Sequence, residues 1–470
     1  MRYLRLANTV LSFSLAACVA TPELGVRPEP KTLSGLAAAQ TLAATPAASW
    51  PRSLWWLTYG DTQLDALIAE AVAGSPDLKA AEARVRRGAA LALQAGADRL
   101  PSVTASAGIA AVKQSYNNGI PPQFVPRGYQ DTGRATIDLG FDLDLFGRNR
   151  AAYAAARSEA EAARLEGEQA RLVVATTVAA AYADLAKLYS ERDAAVAAVE
   201  VREATFKLVS DRVAQGLDTR AELRQAEARV PAARAELAAI DESIELTKNR
   251  LAALVGAGPD RGRSITRPAA VRLRPSGLPA NLSLELLGRR PDIIAARERA
   301  SAAARRIDVA RTGFYPNVNL TAFIGLQALG LGNLFDRGSD IGTVGPAISL
   351  PVFQGSRLQG RYAQSRAEYD DAVASYDATL IGALREVADV ATSQRALAAR
   401  IAEARAALSA SEDAQRLARL RYEGGLSTFL AVLTAEEALV ANRRNIADLE
   451  ARAFALDVAL VRALGGGFTA

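Results

Sequence analysis

Histidine is absent from the 470-residue sequence, and cysteine occurs only once, at Cys18. Without histidine, the chain lacks the commonest general base and the commonest metal ligand. A single cysteine excludes disulfides within the chain and metal sites built from cysteine clusters. A Ser/Lys or two-carboxylate active site stays open on composition. Most enzyme chemistry is nevertheless excluded, and we expect a protein that is not an enzyme and that uses no cofactor or metal.

Charge of one sign is not concentrated anywhere along the chain, in which 56 basic residues are nearly balanced by 51 acidic ones. There is no run of like charge such as nucleic-acid-binding tails show, so we expect no nucleic-acid partner. Alanine is abundant instead, and it loses the least free energy on entering a helix. The composition therefore favours long helices with solvated surfaces of mixed charge.

The N-terminal segment has the order of an export signal, with Arg2 and Arg5 before an apolar stretch. That stretch is too short to span a bilayer as a mature helix. Leu15-Ala16-Ala17-Cys18 resembles the lipobox of bacterial lipoproteins, in which the cysteine is acylated and the signal is cut just before it. The resemblance implies a signal peptide at residues 1–17 and lipidation of Cys18. An ordinary signal that happens to contain a cysteine is the alternative.

The segment after Cys18 is rich in proline, threonine and alanine and shows little periodicity. Such a composition predicts an extended tether, which we assign to residues 18–60. Resemblance to lipoproteins associates an aspartate directly after the acylated cysteine with retention in the inner membrane. This sequence has Val19 at that position instead. The resemblance therefore implies sorting to the outer membrane.

The rest of the sequence is organised by an internal duplication. Pro76 and Pro101 recur as Pro291 and Pro316 at the same offset, and each pair encloses a segment of helical length. The first proline of each pair suits the first turn of a helix, and the second ends it. The predicted divisions are a first repeat at residues 61–256, an inter-repeat linker at 257–280 and a second repeat at 281–470.

Each repeat then changes from a helical period to a period of two, which is typical of strands. We predict strand hairpins at about residues 101–146 and 313–353. In the first hairpin, apolar residues alternate with Asp138, Asp142 and Asp144, so that the three carboxylates share one face. Strands of about ten residues with one apolar and one polar face match those of a membrane barrel.

The pattern alone leaves open the edge of a soluble sandwich as an alternative. Four strands cannot close a barrel, however, and a bilayer tolerates no open sheet edge. Several chains would have to close the barrel together. Since about eight strands form the smallest barrel, a dimer is the minimum, and a trimer would give a wider lumen.

Two stretches without proline predict helices longer than a globular core requires. The stretch from Arg148 to Gln215 would be on the order of 100 Å long as one helix, at about 1.5 Å per residue. The stretch from Arg357 to Tyr422 is comparable. Each is followed by a break that contains glycine and then by a second helical pattern, so each repeat is predicted to end in a long helical hairpin.

The two breaks align in the duplication and are predicted to form the hairpin tips, near residues 216–219 and 425–428. Gly216 matches Gly425, and the arginines at 212 and 421 match likewise. Glycine permits the chain reversal. Asp218 or Ser427, together with the threonine that follows each, can cap the returning helix.

These motifs, taken together and in duplicate, resemble the outer-membrane factor family, the TolC-like efflux channels, and within it the lipid-anchored branch of OprM- and NodT-type proteins. The match covers nearly the whole chain, although each motif alone is weak. The motifs are Leu15-Ala16-Ala17-Cys18, Trp55-Trp56-Leu57, Asp142-Leu143-Asp144-Leu145-Phe146-Gly147, Arg290-Pro291-Asp292-Ile293, Pro351-Val352-Phe353 and Arg421-Tyr422-Glu423-Gly424-Gly425-Leu426.

The resemblance implies a mainly α protein with membrane β structure, in which a homotrimer forms a long helical periplasmic barrel and a β-barrel with four strands from each protomer. It implies an outer-membrane efflux channel of a Gram-negative bacterium, or a type I secretion-like one, that passively exports small molecules such as drugs. Its partners would be outer-membrane lipid, a periplasmic adaptor (membrane fusion protein) and an inner-membrane pump. Carried over by position, the adaptor-docking residues are Arg212, Gly216, Leu217, Asp218, Thr219, Arg421, Gly425, Leu426, Ser427 and Thr428, and the barrel-lumen residues are Asp138, Asp142 and Asp144.

The chain departs from the family pattern just after the second tip. Some relatives carry acidic residues there that narrow the periplasmic mouth, whereas this sequence has Ala431 and Thr434. A gate held by helix packing is therefore expected. Two other readings stay open: a lipid-anchored adaptor or coiled-coil scaffold without a pore, and a hydrolase. The duplicated plan argues against the first, and the lack of a nucleophile elbow argues against the second.

Overall fold

The computed structural model of the chain describes residues 22–36, 47–269, 278–279, 282–351 and 354–469. Cys18 and the predicted signal peptide at 1–17 lie outside the described residues. So do parts of the predicted tether and of the predicted inter-repeat linker.

Long helices make up most of the described chain. Pro76 and Pro291 each open a helix, where the missing N–H of proline costs no hydrogen bond. The two stretches without proline form single helices of 67 and 69 residues, as predicted. The helices are α1 (Thr62–Gly74), α2 (Pro76–Ala97), α3 (Arg148–Ala214), α4 (Arg220–Leu254), α5 (Leu282–Arg289), α6 (Pro291–Thr312), α7 (Gly355–Glu423) and α8 (Phe429–Ala463).

Four strands form one antiparallel sheet in the order β1-β2-β3-β4, with two strands from each repeat. The prediction of a mainly α fold with a four-stranded β contribution is confirmed. The strands are β1 (Ser102–Val112), β2 (Gln130–Asp142), β3 (Asn317–Leu329) and β4 (Asp340–Ser349). A separate two-residue parallel bridge joins Ala47–Ala48 to Leu278–Pro279.

The chain divides into two compact units, and each contains residues from both repeats. The sheet unit comprises Val85–Ala163 and Ala296–Tyr376 with the described part of Met1–Pro30. It holds all four strands and the starts of α3 and α7. The part of the tether at residues 22–30 packs within it, since Arg366 donates to the carbonyl oxygen of Val26 at 2.6 Å.

The helical unit comprises Lys31–Arg84, Arg164–Ala295 and Asp377–Ala470. Trp55, Tyr59 and Tyr182 are fully buried in its main core. The Tyr59 ring packs edge-on against Phe454 at 5.0 Å, and the Tyr59 hydroxyl donates to Asp457 at 2.7 Å. The core thus ties the segment before α1 to the last helix.

Among the described residues, one helix is long and apolar enough to cross a membrane by length and composition. It is Arg148–Ala214, which contains a window of mean hydropathy 1.3 that is 50% buried inside the protein. A buried core helix meets the same criteria, and Val178 and Leu185 of this helix belong to the main core of the helical unit. We therefore treat it as a core helix.

Candidate functional site

One face of the sheet is apolar and exposed. Ile137 lies opposite Ile324, and Ala322 lies opposite Val344, so that apolar residues on neighbouring strands share this face. Ile324 is 68% exposed and Val344 is 75% exposed. A continuous apolar surface of this kind marks contact with another protein or with a membrane.

The opposite face of the sheet carries the polar side chains. Ser106 donates to the Asp138 carboxylate at 3.1 Å, and Thr136 donates to the same oxygen at 2.9 Å. The Arg134 guanidinium stacks over the Phe323 ring at 5.2 Å. Asp138 therefore lies on the polar face that the alternation predicts for it, within a small hydrogen-bonded group.

Asp142 is the last residue of β2, and its carboxylate accepts a hydrogen bond of 2.9 Å from the Asp144 amide. The predicted continuation of the strand through Asp144 is wrong. The Asp144 backbone has a φ of 47°, and its carboxylate accepts hydrogen bonds from the amides of Asn149 at 2.9 Å and Arg150 at 3.0 Å. Asp144 thus caps α3 instead of extending the strand face.

The charge of Asp144 is compensated locally. The Arg150 guanidinium lies 3.2 Å from its carboxylate. Burial alone would raise the pKa of Asp144, but the hydrogen bonds from the two amides and from Arg150 outweigh it and lower that pKa. The alternation of Leu143, Asp144 and Leu145 imitates a strand in the sequence, whereas the capping interactions decide the local backbone.

Each edge of the sheet is left unpaired by the described residues, since β1 and β4 each have one strand neighbour. An open edge presents a row of unpaired N–H and C=O groups to another strand. Both edges are long, because β1 has 11 residues and β4 has 10.

The two predicted tips have the same backbone structure. Gly216 and Gly425 adopt left-handed φ angles of 75° and 72°. The Leu217 amide donates to the Arg212 carbonyl at 2.9 Å, and the Leu426 amide donates to the Arg421 carbonyl at 2.8 Å. These are Schellman motifs, which end a helix and need glycine at the left-handed position.

Capping of the returning helices differs between the tips. At the first tip, Thr219 forms a reciprocal capping box with Glu222. At the second tip, Thr428 makes no side-chain capping hydrogen bond. The predicted capping role of Thr428 is therefore wrong, and the position that matches Glu222 is Ala431, which has no carboxylate to reciprocate.

A polar group that sequence reasoning missed joins the two tips. The Arg212 guanidinium lies 2.9 Å from the Asp218 carboxylate and stacks over the Tyr422 ring at 4.6 Å. The Tyr422 hydroxyl also donates to Asp218. Burial and this hydrogen bond raise the pKa of Tyr422, so the hydroxyl stays protonated as a donor.

The duplicated arginines therefore occupy different environments. The side chain of Arg212 is only 14% exposed, forms an ion pair with Asp218 and stacks on Tyr422. Arg421 is exposed, and its guanidinium has no hydrogen-bond or ion-pair partner within the described ranges. Leu217 and Leu426 lie beside them and are 60% and 74% exposed. Among the predicted docking residues, two apolar side chains and one cation are therefore exposed to solvent.

Glu436 is a second group that sequence reasoning did not single out for its chemistry. It is only 2% exposed, and the Thr205 hydroxyl donates to its Oε1 atom. Its Oε2 atom has no partner among the described residues. Burial raises the pKa of Glu436, against the opposite effects of Thr205 and of Arg229, Arg202 and Arg419.

Ala431 and Thr434, after the second tip, occupy the two positions at which some relatives carry acidic residues. The Thr434 hydroxyl donates to the Leu430 carbonyl, one turn earlier, at 2.9 Å. Across the described part of the chain, no cluster of three acidic, histidine or cysteine residues could hold a metal ion.

Comparisons with known proteins agree in family and in fold. The sequence model of the family described as "Outer membrane efflux protein" matches residues 67–257 and again residues 282–466. The chain is 35% identical to the fusaric acid resistance protein FusA of Burkholderia cepacia over 375 residues, which cover 77% of this chain and 69% of FusA. It is 30% identical to the multidrug resistance outer membrane protein MdtP of Escherichia coli K12 over 431 residues, which cover 90% of this chain and 88% of MdtP.

A solved structure supports the same relationship. The outer membrane protein VceC of Vibrio cholerae superposes with a TM-score of 0.85 at 46% identity, over 89% of this chain and 100% of VceC. The twofold match of the family model also agrees with the internal duplication that the prolines indicate.

Proposed function

Because the chain belongs to the outer membrane efflux protein family, we propose that three copies assemble into one outer-membrane channel that passively exports small molecules. The observation that supports the trimer is the exposed apolar sheet face, whose two edges have no strand partner among the described residues. In a bilayer an open edge leaves backbone groups unsatisfied, so the sheet has to close on itself or on copies. Four strands are too few for self-closure, and three copies give a barrel with a water-filled lumen.

The polar face would then line the lumen. Asp138 and Asp142 contribute carboxylates to it, whereas the charge of Asp144 is compensated by Arg150. Arg134 adds a positive charge on the same face. A weak preference for cations follows, further reduced by salt across a wide pore.

Cys18 supports a lipid anchor, since the only cysteine of the chain stands where a lipobox requires it. The anchor would hold the tether at the membrane beside the barrel. The described tether residues Val26 and Pro28 accept hydrogen bonds from Arg366 and Tyr369, both in the sheet unit.

The tips are proposed to dock a periplasmic adaptor that connects to an inner-membrane pump. Exposed Leu217 and Leu426, together with Arg421, which has no partner among the described residues, form a surface that combines apolar contact with charge. Such combinations are typical of protein interfaces. The free energy for transport would come from the pump, and the channel would perform no bond chemistry.

Opening of the tips is proposed as a shift of packed helices between two arrangements. The contacts of Arg212, Asp218 and Tyr422 support a closed arrangement, because they join the ends of α3 and α7. Adaptor binding would bias the equilibrium only if it favours the other arrangement.

The names of the relatives bear on the cargo. FusA is named for fusaric acid resistance and MdtP for multidrug resistance. We propose small organic molecules, including drugs, as the cargo. A secreted polypeptide, as in type I secretion, is the second candidate, and loss of drug resistance on deletion would separate the two.

Planar-bilayer conductance of the detergent-extracted protein tests the channel, with its mass measured in native gels. We expect stable conductance steps from a trimer that dissociates on heating. A monomer without conductance would instead support the scaffold reading and overturn the barrel.

Docking is tested by Leu426→Glu, which places a charge on the exposed apolar surface of the second tip. We expect loss of drug efflux in cells, with trimer mass and bilayer conductance unchanged. Leu426→Met is the matched control, because it keeps an apolar side chain of similar volume. Unchanged efflux in the glutamate variant would exclude this position from docking.

A further inference from the structure

A cavity of about 530 Å³ lies in the sheet unit, where the strands meet the helices. It is lined by the first turn of α3, the end of α6 and the first turns of α7, together with the adjoining ends of β3 and β4. Nothing in the channel function above uses this cavity.

The cavity is cationic. Its lining includes Arg148, Arg306, Arg357 and Arg361, against a single carboxylate from Asp144. The carboxylate of Asp144 is already held by two backbone amides and by Arg150, as described above. The lining therefore has an excess of positive charge that its own acidic residue does not offset.

The four arginines differ in whether their guanidinium groups have partners within the protein. Arg306 forms an ion pair with Glu159 at 2.9 Å, and Arg357 donates to the Gln354 side chain. Arg148 and Arg361 are exposed, and neither has an acidic partner in the parts of the chain that the structure describes. Two guanidinium groups at one cavity are thus available to bind an anion, and guanidinium suits the oxygens of phosphate.

An apolar wall adjoins these cations. Phe146 stacks on Tyr315 with ring centroids 4.8 Å apart and planes 11° apart, and both rings line the cavity. Leu145 beside them is 61% exposed. A water-soluble anion gains nothing from such a wall, whereas an amphiphile with an anionic head and an apolar tail contacts both parts.

The position in the fold agrees with an amphiphile, on the premise that the sheet forms the membrane barrel proposed above. Strands of 10 to 13 residues are about the length that spans a bilayer when tilted. The ends of the strands then lie at the level of the lipid headgroups, where aromatic side chains are enriched in membrane barrels. The cavity lies at those ends.

We propose that this cavity binds a phospholipid of the outer membrane, with the phosphate held by Arg148 and Arg361 and an acyl chain against Leu145, Phe146 and Tyr315. Arg357 adds positive potential around the phosphate, whereas Glu159 offsets the charge of Arg306. The ligand is a lipid of the leaflet that faces the helices, and its role is to fix the barrel at a defined depth.

The test measures lipid retention by native mass spectrometry of the intact detergent-extracted protein. Phosphatidylglycerol is titrated against the wild type and against the double variant Arg148→Gln/Arg361→Gln. Loss of each charge-assisted hydrogen bond is expected to weaken binding by about tenfold. Arg400→Gln is the matched control, because Arg400 is an exposed arginine of the same helix α7 outside the cavity. It should bind phosphatidylglycerol as the wild type does.

Two competitors distinguish the sources of the phosphate. Diacylglycerol, which lacks the phosphate, should not bind, and inorganic phosphate in excess should not displace the lipid. Displacement by inorganic phosphate would indicate a free-anion site and overturn the lipid assignment, as would equal retention by the double variant. If the double variant does not assemble, the single variant Arg361→Gln replaces it, and about tenfold weaker binding of phosphatidylglycerol than in the wild type is expected. Bilayer conductance of each variant tests the channel separately, so that failure of lipid binding and failure of the channel are distinguishable.

Discussion

Among single residues, Glu436 is the one whose environment most clearly opposes its charge. The side chain is buried near the second tip, one carboxylate oxygen accepts from Thr205, and the other has no partner among the described residues. Below the ordinary glutamate pKa of about 4.3 the carboxyl is neutral in the folded and unfolded states alike. As pH rises through the raised pKa of the folded state, the folded protein has to hold a buried charge, and stability falls.

Glu436→Gln is therefore expected to raise the thermal unfolding midpoint at pH 8 and to raise it much less at pH 5. Circular dichroism of the detergent-extracted protein at the two pH values measures the difference. Glu227→Gln is the matched control, since Glu227 occupies the equivalent place in the first repeat, is about half exposed and pairs with Arg224. Its effect should be small at both values, because exposed ion pairs contribute about 0–1 kcal/mol. An equal gain from Glu436→Gln at both pH values would contradict the assignment.

The duplication could be predicted at residue level, whereas the environments of the duplicated residues could not. Arg212 and Arg421 match in sequence, yet only Arg212 has an aspartate six residues later, because Ser427 stands in the place of Asp218. Its other contacts, the Tyr422 ring and the Glu423 carbonyl, come from the opposite repeat. Pairing across repeats depends on the tertiary fold, and no local pattern around Arg212 indicates it.

At the scale of elements, periodicity and proline predict the helices and strands well, and the errors occur where side chains compete with the pattern. The strand β2 stops at Asp142 because Asp144 caps α3. The tips are predictable for a different reason. A helix that ends in a Schellman motif needs a residue with positive φ, and glycine adopts this conformation without strain.

Gly425→Ala is expected to loosen the second tip without any steric clash. Apart from Gly425 and its two chain neighbours, no atom of the described residues lies within 4 Å of the position that a Cβ would occupy, so the whole effect comes from the φ of +72°. A left-handed residue other than glycine costs about 1–2 kcal/mol. Local opening should then become roughly tenfold more frequent, which hydrogen exchange of the tip amides measures by mass spectrometry.

Two neighbouring substitutions control for the change of residue type. Gly424→Ala places the same methyl group one residue earlier, where φ is not positive and the nearest contact is an ordinary 3.6 Å, so exchange should stay unchanged. Gly216→Ala should reproduce the effect at the first tip, since its φ is +75° and its surroundings are also open. If both Gly424→Ala and Gly425→Ala accelerate exchange equally, backbone strain is not the cause.

For the whole molecule, the sequence predicts two repeats, but the compact units of the structure are not the repeats. Each unit combines segments of both, and the sheet explains why. Strand β2 of the first repeat pairs with β3 of the second, from Thr132 opposite Leu329 to Asp142 opposite Asn319. Hydrogen bonding across the repeats thus builds one sheet from two hairpins. Pairing partners of this kind are set by register and burial and are not encoded in either hairpin alone.

The two faces of that sheet allow a test of the assembled barrel with adjacent residues. Val344 and Thr343 are neighbours near the middle of β4, both are exposed, and their side chains point to opposite faces because Val344 pairs with Ala322 and Thr343 with Phe323. Val344→Arg would place a cation against lipid, which costs about 2–4 kcal/mol at the bilayer midplane. We expect it to lower the yield of heat-sensitive trimer in outer-membrane fractions. Thr343→Arg would face the water-filled lumen, so trimer yield should be preserved, and the reversal potential in a salt gradient should shift towards anions. If Thr343→Arg prevents assembly while Val344→Arg does not, the apolar face is turned inwards and the barrel proposed here is wrong.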